Sequence, residues 1–537
     1  MLKHTLRWIL LVTICCFAAA IPAAAATCES LALQKPPDGK ITSAEVVAAG
    51  SFTPPGPGGV LAGGTGGDAG FRAAPAFCRV TATLTPSADS DIKIEVWMPV
   101  ENWNGKLVGT GNGVWAGSIS YSSLAEPLAR GYATMATDGG HTGNGMSVAF
   151  AAGHPEKLVD FGYRAVHEMT VKAKFFIEAF YGKKEQRSLW VSCSTGGRQG
   201  LMASYRYPDD FVGISSMAPA NPMVDLMIGS MQANYAATKE AGRRLSSQQL
   251  TIANRAYIAQ CDEKDGVKDG IVSDPASCNF DPRSIACKDG AAGDCLTAAQ
   301  AEAFRDVYGG VKNSRTGEKI YAGFEPGSEQ QLTMLVAGNE PFAAATSFFK
   351  DIVFADQKWD FKTYDYDKDI DTSRKSASAV LDVPANGPVK FLEGGGKLLL
   401  SHGWGDGLIP ARSTIDFYQS LTANLKNEKL KDSVQLFMMP GVGHCGGGDG
   451  PSVVDMLSEL DQWVETGKKP ERIVASRPVP PAKPAASGKP GALPEKPVAA
   501  QSQQRPMTRP LCPWPQVAVY KGSGSTDDAV NFECRVK

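Results

Sequence analysis

Ser194, Asp406 and His444 are the residues with which this chain could run nucleophilic chemistry. Ser194 stands in the stretch 188–200, SLWVSCSTGGRQG, where an apolar run breaks into small residues and a cysteine directly precedes the serine. A serine hydroxyl is a weak nucleophile and needs an adjacent base that a third group orients. Beyond Ser194 the chain holds only two histidines, His402 and His444. Asp406 follows the run KLLLSHG (397–403), and His444 lies in the glycine-rich PGVGHC (440–445). Serine, then acid, then histidine is one of the chain orders in which this triad recurs. His402 is the rival base, but it precedes Asp406 and reads as support for that loop. A serine in such a turn is also a common structural residue, so its partners must decide.

Such residues need a scaffold that brings several strand ends to one edge. Strands are expected at 92–98, 106–109, 132–137 and 188–192, alternating with a helix over 159–181 that Gly182 stops. This rhythm argues for an α/β fold, a parallel sheet covered on both faces. Strand 188–192, a tight turn and a helix from about Arg198 form the context in which a serine oxygen is exposed at the sheet edge. The usual G-x-S-x-G reads here Ser192-Cys193-Ser194-Thr195-Gly196, with serine in place of the first glycine. His167, on the helix over 159–181, reads as a helix-surface residue. Between 221 and 395 the alternation fades into acidic turns and clustered cysteines, read as an inserted domain. It resumes with strands at 397–401 and 434–439 and helices over 410–424 and 451–465, so Asp406 and His444 both follow strands. Core segments are thus expected at 27–220 and 396–537, with a Pro/Ala/Lys-rich extended connection over 475–505.

A chain of 537 residues, 43% hydrophobic, can bury a large core in two or three domains. Its net charge of −2 and lack of a long basic run argue against nucleic acid or an acidic membrane surface as partner. Lys3, His4 and Arg7, an apolar run and the small residues 21–26 read as an export signal over residues 1–26. A secreted or periplasmic location follows, and no later apolar run is long enough to span a bilayer. A lipid anchor at Cys15 or Cys16 is disfavoured by Ile14 before Cys15. Ten cysteines remain, an even number that suggests five disulfides in an exported chain. Pairing of neighbours would join Cys261 to Cys278, Cys287 to Cys295, Cys512 to Cys534 and Cys28 to Cys78, leaving Cys193 and Cys445 for each other. Sequence does not fix connectivity, and a metal-thiolate site is the competing idea, though no C-x-x-C pair exists. A Cys193–Cys445 bridge would fasten the candidate nucleophile to the candidate base.

The stretches Cys193-Ser194-Thr195-Gly196-Gly197-Arg198-Gln199-Gly200, His402-Gly403 with Asp406 and Ile409-Pro410, and Gly443-His444-Cys445 resemble the tannase and feruloyl esterase family of α/β-hydrolases. That family also contains hydrolases of mono-hydroxyethyl terephthalate. The resemblance extends to the ending RPLCPWP (509–515) and to the pattern of five cystines. It implies an α/β-hydrolase fold with a large inserted lid domain and a serine carboxylic ester hydrolase without organic cofactor. The oxyanion hole would use the N–H of Thr195, the residue after the nucleophile. A second donor is sought in GTGNGVWAG (109–117), with Gly113 the choice, although the family often has a further glycine where this chain has Val114.

In CDEKDGVKDGI (261–271) three aspartates alternate with turn residues. Spacing alone leaves an acidic surface turn and a calcium site level, and it is not an EF-hand. The resemblance implies structural Ca2+ in the lid, held by the side chains of Asp262, Asp265 and Asp269 and the carbonyls of Val267 and Ile271. Phe348, Phe349, Lys350, Trp359 and Phe361 would line an acyl pocket or form the lid's own core. The expected substrate is a small aromatic ester of hydroxycinnamate or gallate type. A terephthalate half-ester is the alternative, followed by a serine peptidase and a non-catalytic binding module.

Overall fold

The computed structural model describes residues 26–55, 67–288, 293–477 and 505–536. The export signal expected over 1–26 therefore lies outside the described residues except for Ala26, as do residues 478–504 of the expected connection.

Nine strands form one sheet in the spatial order Gly39–Val47, Phe77–Leu84, Ile92–Pro99, Ala133–Thr137, Lys106–Gly109, Arg187–Cys193, Gly213–Met217, Lys397–Gly403, Val434–Met439. The first four pair antiparallel, and every pairing from Ala133–Thr137 onward is parallel. Parallel strands need crossover connections that cover the faces, so central strands are apolar on both sides. Every residue of Ala133–Thr137 and Val434–Met439 is accordingly buried. Alternate residues of neighbouring strands enter opposite layers. Leu107, Met135, Trp190, Leu398 and Leu436 pack with helices Ala165–Tyr181, Thr195–Arg206 and Ala411–Asn424. Val108, Leu189, Leu399 and Phe437 pack with helix Met456–Thr466.

Several expected boundaries move for local reasons. The helix expected over 159–181 begins at Pro155 and passes through a π turn at Asp160–Arg164 before Ala165–Tyr181. It does end at Gly182, whose φ of +67° suits a left-handed cap. The helix expected over 451–465 starts at Met456, because the Asp455 side chain accepts from Ser458 N–H. Residues just before it stay extended, with Val453 bridged to Ser476. The start of the expected connection is ordered strand: Ile473–Arg477 pairs antiparallel with Met507–Leu511.

The segment between Gly213–Met217 and Lys397–Gly403 is mostly helical, with Met223–Thr238, Ser247–Cys261, Ala298–Gly309 and Asp369–Leu381 its longest helices. Ser246 with Gln249, and Thr297 with Gln300, form capping boxes that start two of them. Met223, Ile228, Phe304, Phe348 and Leu381 build an apolar core that also takes in Trp115 and Phe161 from the sheet domain. The insert is therefore packed onto the strand-end loops that carry the site.

Candidate active site

Ser194 sits between strand Arg187–Cys193 and helix Thr195–Arg206, which begins three residues earlier than the sequence suggested. Its backbone, at φ +63° and ψ −127°, is in a region that non-glycine residues seldom occupy. The surroundings hold it there. Ser194 N–H donates to the Met217 carbonyl at 2.9 Å, and its carbonyl accepts from Arg198 and Ala220, both at 3.0 Å. The small residues of the turn follow from crowding: a Cβ on Gly196 would lie 2.0 Å from the Ser192 hydroxyl oxygen.

A continuous hydrogen-bonded chain runs from this serine. Ser194 Oγ lies 3.0 Å from His444 Nε2, and His444 Nδ1 lies 2.8 Å from Asp406 Oδ2. With Nδ1 donating to the carboxylate, Nε2 is left to accept the serine proton. The His444 side chain is 15% exposed, while Asp406 is fully enclosed. Asp406 Oδ1 accepts from Leu408 and Ile409 N–H at 2.8 and 2.9 Å, and Oδ2 also receives His402 Nε2 at 3.1 Å. Burial opposes ionisation of Asp406, but the charge of His444 and the hydrogen bonds from His402 and His444 outweigh it and hold the carboxyl well below its usual range. His402 is fully buried, with Nδ1 2.7 Å from Thr414 Oγ1 and Nε2 shared between Asp406 and the Ile409 carbonyl. Both its nitrogens are engaged, so it buttresses the acid loop.

Cys193 and Cys445 are bridged, with Cα atoms 5.9 Å apart, inside the span a disulfide allows. The other bridges are Cys28–Cys78, Cys261–Cys278, Cys287–Cys295 and Cys512–Cys534. The loop 109–117 lies against the nucleophile turn. Gly196 N–H donates to the Asn112 carbonyl at 2.8 Å, Asn112 N–H to Gln199 Oε1 at 3.0 Å, and Thr195 Oγ1 to the Val114 carbonyl at 2.8 Å. This brings Gly113 beside Thr195. Thr195 is the first residue of its helix, where N–H groups lack intrahelical partners, and a side chain at Gly113 would meet nothing within 4 Å. Val114 takes the left-handed φ of +47°. That is unusual for a β-branched residue and natural for a glycine.

Sequence reading missed three supports. Asn112 ties the loop to Thr137 and Ser118 carbonyls, and Gln199, though quoted in the motif, carried no assigned role. Gln331, from the insert, accepts His444 N–H at 2.7 Å, and nothing in its local sequence signalled it. Among the aromatic candidates, Phe348 and Phe349 are fully buried in the insert's core, stacked on Trp115 and edge-on to Tyr364. Trp359 and Phe361 are partly buried against the same cluster.

In the loop 262–271 the aspartates turn toward backbone donors. Asp262 accepts from Asp269, Gly270 and Ile271 N–H, Asp265 from Val267 and Ser273 N–H, and Asp269 from Ile271 N–H while pairing with Arg509. As these side chains stand, no group of three or more His, Cys, Asp or Glu among the described residues is placed to hold a metal ion. In donor chemistry the loop fits a hard cation. Burial foremost, and the neighbouring charge of Asp269, raise the carboxyls of Asp262 and Asp265, the tension a divalent ion would relieve.

A mixed sheet with a serine elbow at its carboxyl edge and an acid and histidine in the loops after the last two strands defines an α/β-hydrolase. Residues 78–535 match the family model described as tannase and feruloyl esterase, and the chain belongs to that family. It is 35% identical to an uncharacterized esterase of Xanthomonas campestris, over 95% of this chain and 91% of that protein. It is 33% identical to a probable feruloyl esterase B-2 of Aspergillus terreus, over 86% of each chain. The crystal structure of feruloyl esterase B from Aspergillus oryzae superposes with a TM-score of 0.81 at 27% identity, covering 95% of this chain and 99% of that one. The protein is a carboxylesterase with five disulfides among its described residues.

Proposed function

We propose that this carboxylesterase is exported and cleaves esters of aromatic carboxylic acids through an acyl-enzyme on Ser194. The observation that carries the mechanism is the chain Ser194–His444–Asp406, with links of 3.0 and 2.8 Å at a strained elbow. Ser194 Oγ attacks the ester carbonyl while its proton passes to His444 Nε2. Asp406, ionised through its two histidine contacts, holds the ring and stabilises the imidazolium. The negative oxygen of the tetrahedral intermediate is met by the N–H groups of Thr195 and Gly113. His444 then protonates the departing alkoxide, and the alcohol leaves. Water, deprotonated by the same base, releases the acid and restores the serine.

The aromatic preference is supported by the feruloyl esterase names of the relatives. The insert acts as a lid in this reading. Export is supported by the five disulfides, which persist in oxidising compartments. Among the described residues no helix is long and apolar enough to cross a membrane. The loop 262–271 would hold a structural Ca2+ through Asp262, Asp265 and Asp269 with the Val267 and Ile271 carbonyls. Such an ion supplies charge neutralisation that fixes the loop and takes no part in catalysis.

The test is hydrolysis of methyl ferulate, methyl gallate, a terephthalate half-ester and a peptide amide by the oxidised protein and by Ser194→Ala. Turnover of an aromatic ester by the wild type, lost in the variant, is expected. A preference for the half-ester would move the substrate class, and equal rates in both proteins would remove Ser194 from the chemistry.

A further inference from the structure

We infer that Gln331, supplied by the insert, is a positioning residue for the histidine base, so that the insert sets the geometry of the triad as well as covering it. The inference rests on His444 being the base. Gln331 Oε1 accepts the backbone N–H of His444 at 2.7 Å, fixing the peptide that carries the imidazole. The two glycines beside the acid and the base are both shaped around this one residue. A Cβ on Gly443 would stand 1.7 Å from Gln331 Nε2, and a Cβ on Gly407 would stand 2.7 Å from Gln331 Cβ. Gln331 is thus wedged between the loop of Asp406 and the loop of His444, where only glycine permits so close an approach.

Its own backbone is anchored firmly. Gln331 ends the short helical turn Glu329–Gln331, and its N–H donates to the Ser328 carbonyl at 3.0 Å. Glu329 is completely buried and accepts from Asn254 Nδ2 at 2.9 Å, Tyr308 OH at 2.5 Å and Gly327 N–H at 3.0 Å. Asn254 in turn accepts from Gln330 Nε2 at 2.9 Å. Asn254 and Tyr308 belong to helices Ser247–Cys261 and Ala298–Gly309, so the wedge is braced by two long helices of the insert. The histidine loop follows a course rich in left-handed conformations, since Gly441, Cys445, Gly446, Gly447 and Gly448 all have positive φ. Its covalent tie at Cys445 fixes one side of His444, and Gln331 fixes the other.

The experiment compares kcat, KM and the pH profile of kcat/KM for wild type, Gln331→Ala and Gln331→Glu on an aromatic ester, with thermal unfolding of each. Misplacing a catalytic group by about 1 Å costs on the order of 100-fold in rate. Gln331→Ala is therefore expected to lose about 10- to 100-fold in kcat with KM little changed. Gln331→Glu keeps the acceptor oxygen and should recover most of kcat. Its added negative charge favours the imidazolium and moves the acid limb of kcat/KM to higher pH. A wild-type kcat and profile in Gln331→Ala would overturn the inference. Should that variant not fold, an unshifted acid limb in Gln331→Glu would overturn it equally. Loss of the Ser194 mechanism itself would show separately, as activity retained by Ser194→Ala.

Discussion

Replacing both Cys193 and Cys445 by serine removes the covalent tie between nucleophile turn and histidine loop while leaving the Ser194–His444–Asp406 hydrogen bonds intact. The bridge closes 252 residues of sequence, far more than any other among the described residues. Loop-closure entropy for that length corresponds to about 5 kcal/mol. The denatured chain keeps four other bridges and residual structure, so a loss of about 3–5 kcal/mol is the expected measured value. A catalytic effect accompanies it. Cys445, at φ +58°, holds the histidine loop in a left-handed turn, and Ser194 is strained on the other side of the bridge. Without it the serine–histidine contact depends on hydrogen bonds alone, and a displacement approaching 1 Å brings kcat down by about 10- to 100-fold. The assay is guanidinium unfolding of wild type and double variant, followed by tryptophan fluorescence and by ester turnover at each denaturant concentration. A midpoint, slope and kcat all unchanged in the double variant would refute the view that this bridge holds the site together.

Other perturbations have definite expected outcomes. Asp138 is buried, accepts from Lys93 and Gly140 N–H at 2.9 and 2.8 Å, and burial pushes its carboxyl up to about 7. Its folded pKa is raised, so its favourable contribution is complete below the unfolded value of about 3.9 and is lost as pH rises through the folded value. Asp138→Asn should thus be more stable than wild type at pH 8 by about 2–4 kcal/mol, with the gap closing near pH 4 in paired denaturation curves. Val114→Gly relieves a left-handed β-branched residue at the cost of glycine's chain entropy, for a net gain of about 1 kcal/mol in urea unfolding; a lower midpoint would contradict the strain. Chelation should lower Tm, and restored Ca2+ at 100-fold over Kd should return about 2.7 kcal/mol. No bound calcium by elemental analysis and an unmoved Tm would reject the ion at 262–271.

The sheet and the meeting of Ser194, Asp406 and His444 at one of its edges were legible for specific reasons. Runs such as 434–439 are apolar at every position but Gln435 and buried throughout because both faces are covered, and chain order placed Asp406 and His444 after the last two strands. The strands Gly39–Val47 and Phe77–Leu84 escaped because they precede the alternation with helices and pair antiparallel at the sheet's edge. Gly213–Met217, GISSM, is too short and polar to announce itself, yet it is central, and its Ser215 and Ser216 are buried. The start of helix Thr195–Arg206 was read late because its first residues, Thr-Gly-Gly, are poor helix formers that crowding around Ser192 and Met217 selects. Gln331 and Asn112 were illegible, since their partners lie far away in sequence: Gln331 meets the His444 N–H, and Asn112 meets Gly196, Gln199 and Thr137.

The most direct test of Ser194 as nucleophile is mass spectrometry of protein quenched during steady turnover of methyl ferulate. One feruloyl group on the peptide that carries Ser194, absent from Ser194→Ala, is the predicted result. Ester turnover with no acyl group on that peptide, or an acyl group on another residue, would contradict the triad mechanism.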